Sequence, residues 1–194
     1  MPPTLSTPRL VLRPFTMSDV AALYTILQEP DILKYFPRPE PPDLGRVERI
    51  VAAQIRHWQE HNLGWWAVCP KPPDGGENDG ALAGWCGLQF LPETGEVEVG
   101  YLLSHACWGK GFATEAAEAS LAYGFDSLKL ESIICLVDPD NLRSNRVAAK
   151  LEMTFLGKQA YFGMVLNKYE RRRATDGWVT TVSWPNLPTG GVNG

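Results

Sequence analysis

The stretch WGKGFATEA, residues 108–116, places two glycines around a lysine and then runs directly into the helix-forming segment ATEAAEASLAY (113–123). Glycine is unfavourable inside a helix, but it adopts positive φ and lets backbone amides approach a ligand closely. The first amides of a helix have no partner within the helix, and the helix dipole favours negative charge at that end. We therefore interpret this segment as an anion-binding turn that opens a helix.

The two glycines also fit other interpretations. A Walker phosphate loop requires the pattern GxxxxGK[ST], which the sequence lacks. A dinucleotide-binding turn requires GxGxxG directly after a strand, whereas here Thr114 replaces the third glycine and SHACW (104–108) separates the turn from the preceding strand. Glu131 stands near the acidic position of that fingerprint, but the chain does not open with βαβ units. A tight strand-to-helix connection that binds nothing stays open as the structural alternative.

Length and composition predict one globular domain. The 194 residues are enough for a single well-packed α/β domain, and a formal net charge of −4 argues against sequence-independent binding of nucleic acid. The sequence has no signal-peptide pattern and no apolar run of membrane-spanning length. The cysteines and histidines lack metal-ligand spacing, and we expect a cytoplasmic protein that binds no metal and keeps four buried free thiols: Cys69, Cys86, Cys107 and Cys135.

Hydrophobic periodicity predicts the element order βααβββαβαββ. This order is an α/β (α+β) fold in which a mixed, twisted sheet of about six to seven strands is flanked by helices. TMSD (16–19) has capping-box spacing before the first helix, and the proline-rich segment 29–43 predicts a long loop. EVEVGYLL (96–103) and SIICLV (132–137) predict the strands that flank the glycine turn and its helix.

The end of the chain predicts a short helix near 145–152 and two closing strands, around 155–165 and 177–184. We find no internal repeat and no interdomain linker in the sequence. We therefore expect one domain over residues 5–184, and the glycine- and proline-rich segment 185–194 predicts a disordered tail.

Four separated segments carry a family resemblance. They are TPRLVLRPFTMSD (7–19), EVGYLL (98–103), WGKGFATEA and NLRSNRVAAKLEM (141–153). In this order they resemble the GNAT N-acetyltransferases, and most closely the RimJ/RimL-like subgroup that acetylates ribosomal-protein N-termini. In the acyl-CoA motif [Q/R]xxGx[G/A], Trp108 takes the Gln/Arg place, and the sequence also departs from the family at Glu152, where glycine is usual.

The resemblance implies a GNAT fold that binds acetyl-CoA and transfers its acetyl group to a primary amine. In the family the pyrophosphate binds at the glycine turn, and the pantetheine arm runs along the strand read here as 96–103, beside which the strand 132–137 splays away. The family's NxxS pattern places Asn141 on the cofactor arm. The residues implied to bind the cofactor are Leu102, Leu103, Trp108, Gly109, Lys110, Gly111, Phe112, Ala113, Thr114, Asn141 and Asn145.

Two side chains are catalytic candidates. Glu96 and Glu98 alternate with valines and share one strand face; we interpret Glu96 as solvated, and the resemblance makes Glu98 the base or the group that orients the amine. An α-amine, with a reference pKa of about 7.7 to 8.0, needs only a modest base. The NxxS pattern makes Ser144 the proton donor to the thiolate, whereas its position alone predicts a helix cap.

The acceptor is the part of the reaction that the sequence defines least. Tyr35 and Phe36, on the proline-rich loop, are candidate acceptor-site residues because similar loops line that site in the family. The run Arg171 to Arg173 could contact an acidic acceptor, but we interpret it as a solvated loop between the closing strands. The subgroup implies a protein N-terminus as acceptor; a small amine such as an aminoglycoside or polyamine, and a non-catalytic acyl-CoA-binding module, are the alternatives. We expect a monomer or homodimer with no nucleic-acid or membrane partner.

Overall fold

The structure is a computed structural model that describes residues 2–72 and 80–174. Within these residues, eight strands and four helices follow one another in the chain. They are β1 (Leu5–Ser6), β2 (Leu10–Pro14), α1 (Val20–Leu27), α2 (Leu44–His61), β3 (Trp65–Pro70), β4 (Gly84–Leu91), β5 (Glu96–Leu103), α3 (Phe112–Ala122), β6 (Ser132–Val137), α4 (Leu142–Lys150), β7 (Thr154–Tyr161) and β8 (Met164–Arg172).

All eight strands form one sheet, in the order β1-β2-β3-β4-β5-β6-β8-β7. Neighbouring strands are antiparallel except for β5 and β6, which run parallel. The predicted α/β fold with a mixed sheet is therefore confirmed. The sheet has more strands than the six to seven expected because the two-residue strand β1, too short to show a periodicity, pairs with β2 through Leu5 and Leu12.

The parallel strands β5 and β6, at the centre of the sheet, are paired at only one position. Strand β5 pairs with β4 along its whole length, from Glu96 to Leu103, but its ladder with β6 consists of one residue pair, Glu98 with Ile134. Beyond that pair the two strands separate, so the outer edge of β5 over residues 99–103 faces no strand. The splayed arrangement that the resemblance implied is present, and we call the gap the β5–β6 cleft.

Helices cover both faces of the sheet, and each face has its own apolar core. One core lies under α3 and includes Val99, Leu103, Ala117 and Leu121. The other lies under α1 and α2 and includes the buried side chains Leu23, Val47, Trp85 and Leu102. Adjacent residues of β5 thus point to opposite cores, as the alternation of a strand requires. The even-numbered residues of β5, Glu98 among them, lie on the α1/α2 side.

The last two strands differ from the prediction. Strands β7 and β8 form a hairpin whose turn is Phe162 and Gly163, both at positive φ, with Tyr161 paired to Met164. The predicted strand at 155–165 was therefore too long. Its predicted partner at 177–184 lies outside the described residues, and β8 takes that place in the sheet. Arg171 and Arg172 belong to β8, so the prediction that they form a solvated loop was wrong.

The local capping predictions have mixed outcomes. The capping box at Thr16 and Asp19 is present before α1, with the Thr16 amide donating to the Asp19 carboxylate at 2.8 Å. Helix α4 starts at Leu142, not near 145, and its cap is Asn141, whose Oδ1 accepts from the Ser144 amide at 3.1 Å. Ser144 was therefore wrongly predicted as the cap, because an asparagine three residues earlier fills that place. Across the described part of the chain, no helix is both long and apolar enough to cross a membrane.

Candidate active site

The glycine turn has the backbone geometry of an anion site. Gly109 and Gly111 have φ of 74° and 79°, a left-handed conformation that glycine adopts without strain. Gly111 is the N-cap of α3, and no side chain among the described residues caps that end. The Glu115 amide bonds to the Gly111 carbonyl at 3.1 Å, so the amides of residues 112–114 have no acceptor within the helix. The candidate cradle therefore offers free amides at the positive end of the helix dipole.

An ion pair attaches the glycine turn to the short turn between β1 and β2. The carboxylate of Glu115 accepts from the Arg9 side chain at 2.6 Å, from the Arg9 amide at 2.9 Å and from the Thr7 hydroxyl at 2.6 Å. Arg9 also donates to the Lys110 carbonyl at 2.8 Å and lies 5.0 Å from the centre of the Phe112 ring. Sequence reasoning missed these residues, because no local pattern pairs positions more than 100 residues apart.

Trp108 lies at the mouth of the β5–β6 cleft. Its indole Nε1 donates to the Leu103 carbonyl, at the end of β5, at 2.7 Å. The ring is 40% exposed, with His105 edge-on at 4.1 Å and the Arg143 guanidinium 4.4 Å from its centre. Trp108 therefore connects the end of β5 to the first turn of α4. The resemblance implied that Trp108 binds the cofactor, and that role stays a prediction.

The segment between β5 and the turn is also attached to the loop after α1. The Glu29 carboxylate accepts from the Ser104 hydroxyl at 2.6 Å and from the His105 amide at 2.7 Å. Glu29 begins the proline-rich loop, so one side chain holds together the loop predicted to line the acceptor site and the turn predicted to bind the cofactor. The sequence carried no signal for this contact.

The two glutamates of β5 have different surroundings. Glu96 accepts from Lys168 and from the Tyr161 hydroxyl, each at 2.6 Å, so the expectation of a freely solvated side chain was wrong. Burial acts to raise the pKa of Glu96, but the hydrogen bonds from Lys168 and Tyr161 outweigh it and lower that pKa. Glu96 is therefore an ionised carboxylate whose two oxygens are already bound.

Glu98 lies at the one residue pair that joins β5 to β6, where the cleft begins. Across the sheet it is opposite Gln89 of β4 and Ile134 of β6. Burial raises the pKa of Glu98 to about 8, and a hydrogen bond with the Leu136 backbone only partly opposes that effect. A carboxyl group with such a pKa exchanges its proton close to neutral pH, which suits a general base.

The NxxS segment lies at the other side of the cleft, at the start of α4. Ser144 is in the first turn of this helix, and its carbonyl accepts from the Tyr101 hydroxyl at 3.4 Å. The amide group of Asn145 donates to the carbonyls of Asp138 and Asn141, and its Oδ1 accepts from Tyr169 and Asn167. Asn145 therefore organises the turn before α4, and its predicted contact with the cofactor stays a prediction.

Tyr35 and Phe36 lie on the loop of residues 28–43, as predicted. The Phe36 ring packs edge-on against Trp85, with ring centres 6.2 Å apart, and Trp85 stacks on Trp65 at 3.8 Å. A Cβ at Gly100 would lie 3.3 Å from the Trp85 ring, so that ring covers the residue next to Glu98 on the same strand face. Phe36 is thus brought to the side of the sheet that carries Glu98. The Tyr35 ring lies instead 5.4 Å from the Lys34 ammonium.

Comparison with known proteins identifies the family. A family model described as an acetyltransferase (GNAT) domain matches residues 9–154. The uncharacterized N-acetyltransferase p20 of Bacillus licheniformis is 30% identical over 149 residues, which cover 76% of this chain and 80% of that protein. The chain therefore belongs to the GNAT acetyltransferase family, and it is an acetyl-CoA-dependent N-acetyltransferase.

Solved structures agree in fold. An acetyltransferase from Agrobacterium tumefaciens strain C58 has 27% identity and a TM-score of 0.76, with 88% of this chain and 95% of that chain covered. RimL, a ribosomal L7/L12 alpha-N-protein acetyltransferase in complex with coenzyme A, has a TM-score of 0.74 at 18% identity, with 88% and 98% covered. At that identity the second likeness concerns the fold alone.

The site fits acetyl-CoA on its own geometry. A multiply charged phosphate group matches the uncapped amides at the glycine turn, where a Cβ at Gly109 would meet nothing within 4 Å. An extended amide-containing arm matches the unpaired outer edge of β5 beyond Glu98, since an exposed strand edge offers backbone donors and acceptors. Trp108 lies between the glycine turn and the end of β5, and so between these two features.

Proposed function

We propose that this enzyme acetylates the N-terminal α-amine of a protein or peptide. The observation that carries the proposal is Glu98, a carboxyl with a pKa of about 8 at the point where the β5–β6 cleft begins. An α-ammonium group has a reference pKa of about 7.7 to 8.0, so its proton passes to this carboxylate with little change in free energy. A lysine side chain, at about 10.4, holds its proton far more strongly.

Acetyl-CoA supplies the acetyl group as an activated thioester. In our proposal the amides of residues 112–114, with Lys110, hold its phosphates, and the backbone of residues 102–103 orients its arm. Glu98 accepts the proton that the attacking amine loses, at its carboxylate. Ser144, at the start of α4, is our candidate proton donor on the far side of the cleft, and Asn141 keeps that helix start in place.

The acceptor side has a wall suited to a short chain segment. Phe36 and Trp85 form an apolar wall beside Gly100, while the Glu96–Lys168–Tyr161 cluster lies at the other end of the same strand face. A peptide backbone that enters between them would present its terminal amine to Glu98. None of the four cysteines forms a disulfide, which supports a reducing, cytoplasmic setting for the reaction. Cys107, predicted to be buried like the other three, is partly exposed.

A thiol-release assay with acetyl-CoA tests the proposal. We expect turnover of a short peptide that has a free α-amine, a small first residue and basic residues after it. The matched control is the same peptide blocked at its N-terminus but retaining its lysines, which should react much more slowly. Rapid acetylation of an aminoglycoside or a polyamine, with no turnover of either peptide, would contradict the proposed acceptor. Binding of acetyl-CoA without any thiol release would favour a non-catalytic binding module.

A further inference from the structure

Arg143 is an exposed cation that lies beside the proposed cofactor site without an acidic partner in the described part of the chain. It stands in the first turn of α4, and its guanidinium lies 4.4 Å from the centre of the Trp108 ring. Trp108 directly precedes the glycine turn and is itself fixed to the Leu103 carbonyl. The contact between Arg143 and Trp108 therefore reaches across the mouth of the β5–β6 cleft, from the helix after β6 to the turn after β5.

We propose that Arg143 is a phosphate-binding residue for acetyl-CoA, held over the Trp108 ring in the position from which it meets the ligand. The inference rests on the proposal that the glycine turn binds the cofactor. Arg143 would form a second side of that site. The turn provides amides from the α3 side, and Arg143 provides a guanidinium from the α4 side. A guanidinium has a planar set of donors that matches the oxygens of a phosphate.

The charges around the turn support this assignment. Arg9 also lies near Gly111, but Glu115 neutralises it and the Lys110 carbonyl occupies one of its donors. Lys110 and Arg143 are therefore the nearby cations with no carboxylate partner among the described residues. A ligand with several phosphate charges needs more compensation than one lysine and a helix end provide. Arg143 is placed to supply it.

The Trp108 ring restrains the Arg143 side chain, as a carboxylate partner would, but it leaves the guanidinium donors available to a phosphate. A cation–π contact at an exposed site is weak compared with a charge-assisted hydrogen bond to phosphate. The ring thus limits the rotamers of Arg143 before the ligand arrives, and the guanidinium can still turn toward a phosphate. This arrangement lowers the entropy lost when the ligand binds.

Calorimetry with three ligands tests the proposal and identifies the phosphate involved. Acetyl-CoA carries a pyrophosphate and a 3′-phosphate, 3′-dephospho-acetyl-CoA lacks the latter, and S-acetylpantetheine carries no phosphate. Arg143→Met should weaken acetyl-CoA binding by about tenfold or more, the usual effect of losing a charge-assisted hydrogen bond, and leave S-acetylpantetheine binding unchanged. A tenfold loss that persists for the dephospho ligand assigns Arg143 to the pyrophosphate, and a loss confined to acetyl-CoA assigns it to the 3′-phosphate.

The matched control is Arg146→Met, which removes an exposed arginine one turn further along α4 and should leave all three affinities unchanged. Trp108→Phe keeps the aromatic platform and should retain most of the Arg143 effect. Equal weakening of all three ligands by Arg143→Met would show that Arg143 only packs against Trp108, and an unchanged acetyl-CoA affinity would exclude any role. If the wild-type protein binds S-acetylpantetheine as tightly as acetyl-CoA, the glycine turn is not a phosphate site and the inference about Arg143 fails, whereas the proposed acceptor is contradicted only by the thiol-release assay.

Discussion

The protonation of Glu98 gives the proposed reaction a defined pH dependence. Because burial raises its pKa to about 8, Glu98 is protonated and inactive as a base below that pH and ionised above it. We expect kcat/KM to rise as pH increases through about 8, and Glu98→Gln to lower turnover by roughly 100-fold or more while acetyl-CoA affinity changes little. Steady-state kinetics over a pH series, with calorimetry for acetyl-CoA, provide the measurement.

Glu96→Gln is the matched control for Glu98→Gln. Glu96 lies on the same strand face, but its oxygens bind Lys168 and Tyr161, so its replacement should leave the shape of the pH profile intact. The acceptor amine titrates equally in all variants, so a difference between profiles belongs to the enzyme. A Glu98→Gln profile that matches the wild type would remove Glu98 from the role of base.

Glu152 adopts a turn conformation that is unfavourable for any residue with a side chain. The family resembled by this sequence has glycine at this position, and Glu152 has φ of 55°, the left-handed conformation that glycine adopts readily. The turn after α4 therefore keeps its shape at a conformational cost. Glu152→Gly should stabilise the protein by about 1 kcal/mol and raise Tm by roughly 2–4 °C in thermal unfolding.

The same substitution at Glu48 tests this reasoning. Glu48 is exposed in the second turn of α2, inside the helix, where glycine is less favourable than other residues by up to about 1 kcal/mol, so Glu48→Gly should lower Tm. Opposite signs for the two variants support strain at Glu152. A loss of stability in both would mean that the Glu152 side chain makes a favourable contribution larger than the backbone strain.

At the scale of elements, the strands and helices that carry a clear local sequence pattern are the ones that the sequence predicts correctly. Strands β5 and β6 match their predicted bounds, 96–103 and 132–137, because alternating or continuous apolar residues mark them clearly. Strand β8 was misplaced because its charged residues resemble a loop. Lys168 and Arg171 are held in the sheet by Glu96 and Glu118, which are far away in the sequence. Long-range ion pairs of this kind leave no local signal.

The same limit applies to the candidate site. Gly111 could be selected from the sequence because a glycine turn is a local feature. The alternating glutamates mark one strand face, and the family resemblance is what distinguishes Glu98 from Glu96. The residues that hold the surrounding turn and loop in place could not be selected from the sequence. Glu115 binds Arg9 across the fold, Glu29 binds the Ser104 hydroxyl, and Trp108 reaches Arg143 of α4. These contacts depend on the sheet order, which the periodicity of single elements does not determine.

Because Glu115 attaches α3 to the turn between β1 and β2, it should control the shape of the glycine turn. Its side chain is 9% exposed and accepts three hydrogen bonds from Thr7 and Arg9. Glu115→Gln should destabilise the protein by about 1–3 kcal/mol and raise the KM for acetyl-CoA, because the turn loses its attachment. Thermal unfolding and kinetics measure the two effects.

Glu118→Gln is the control on the same helix. Glu118 binds Arg171 of β8 at 3.1 Å, away from the turn, so its replacement should lower Tm without changing the KM for acetyl-CoA. If both variants raise that KM equally, the effect is a general loosening of α3. In that case the Arg9–Glu115 pair has no special relation to the cofactor.

At the scale of the whole molecule, the two parts of the proposed site lie on opposite faces of the sheet. The glycine turn opens α3, which packs on one core, whereas Phe36 packs into the other core, under α1 and α2. Glu98 lies on that second face. We therefore expect substitutions on the α1/α2 side to change recognition of the acceptor and substitutions at the turn to change recognition of acetyl-CoA. The two sides meet at the β5–β6 cleft and through Glu29.

Phe36→Ala tests this division. Removing the ring takes away its contact with Trp85 and frees the loop of residues 28–43 at that point, so the KM for the peptide acceptor should rise about tenfold while the KM for acetyl-CoA stays the same. Phe155→Ala is the control, because Phe155 is a 53% exposed ring of the β7–β8 hairpin that touches Tyr169, and it should change neither KM. A Phe36→Ala variant that raises both constants together would show that the loop supports the whole cleft. The acceptor side would then not be separable from the cofactor side.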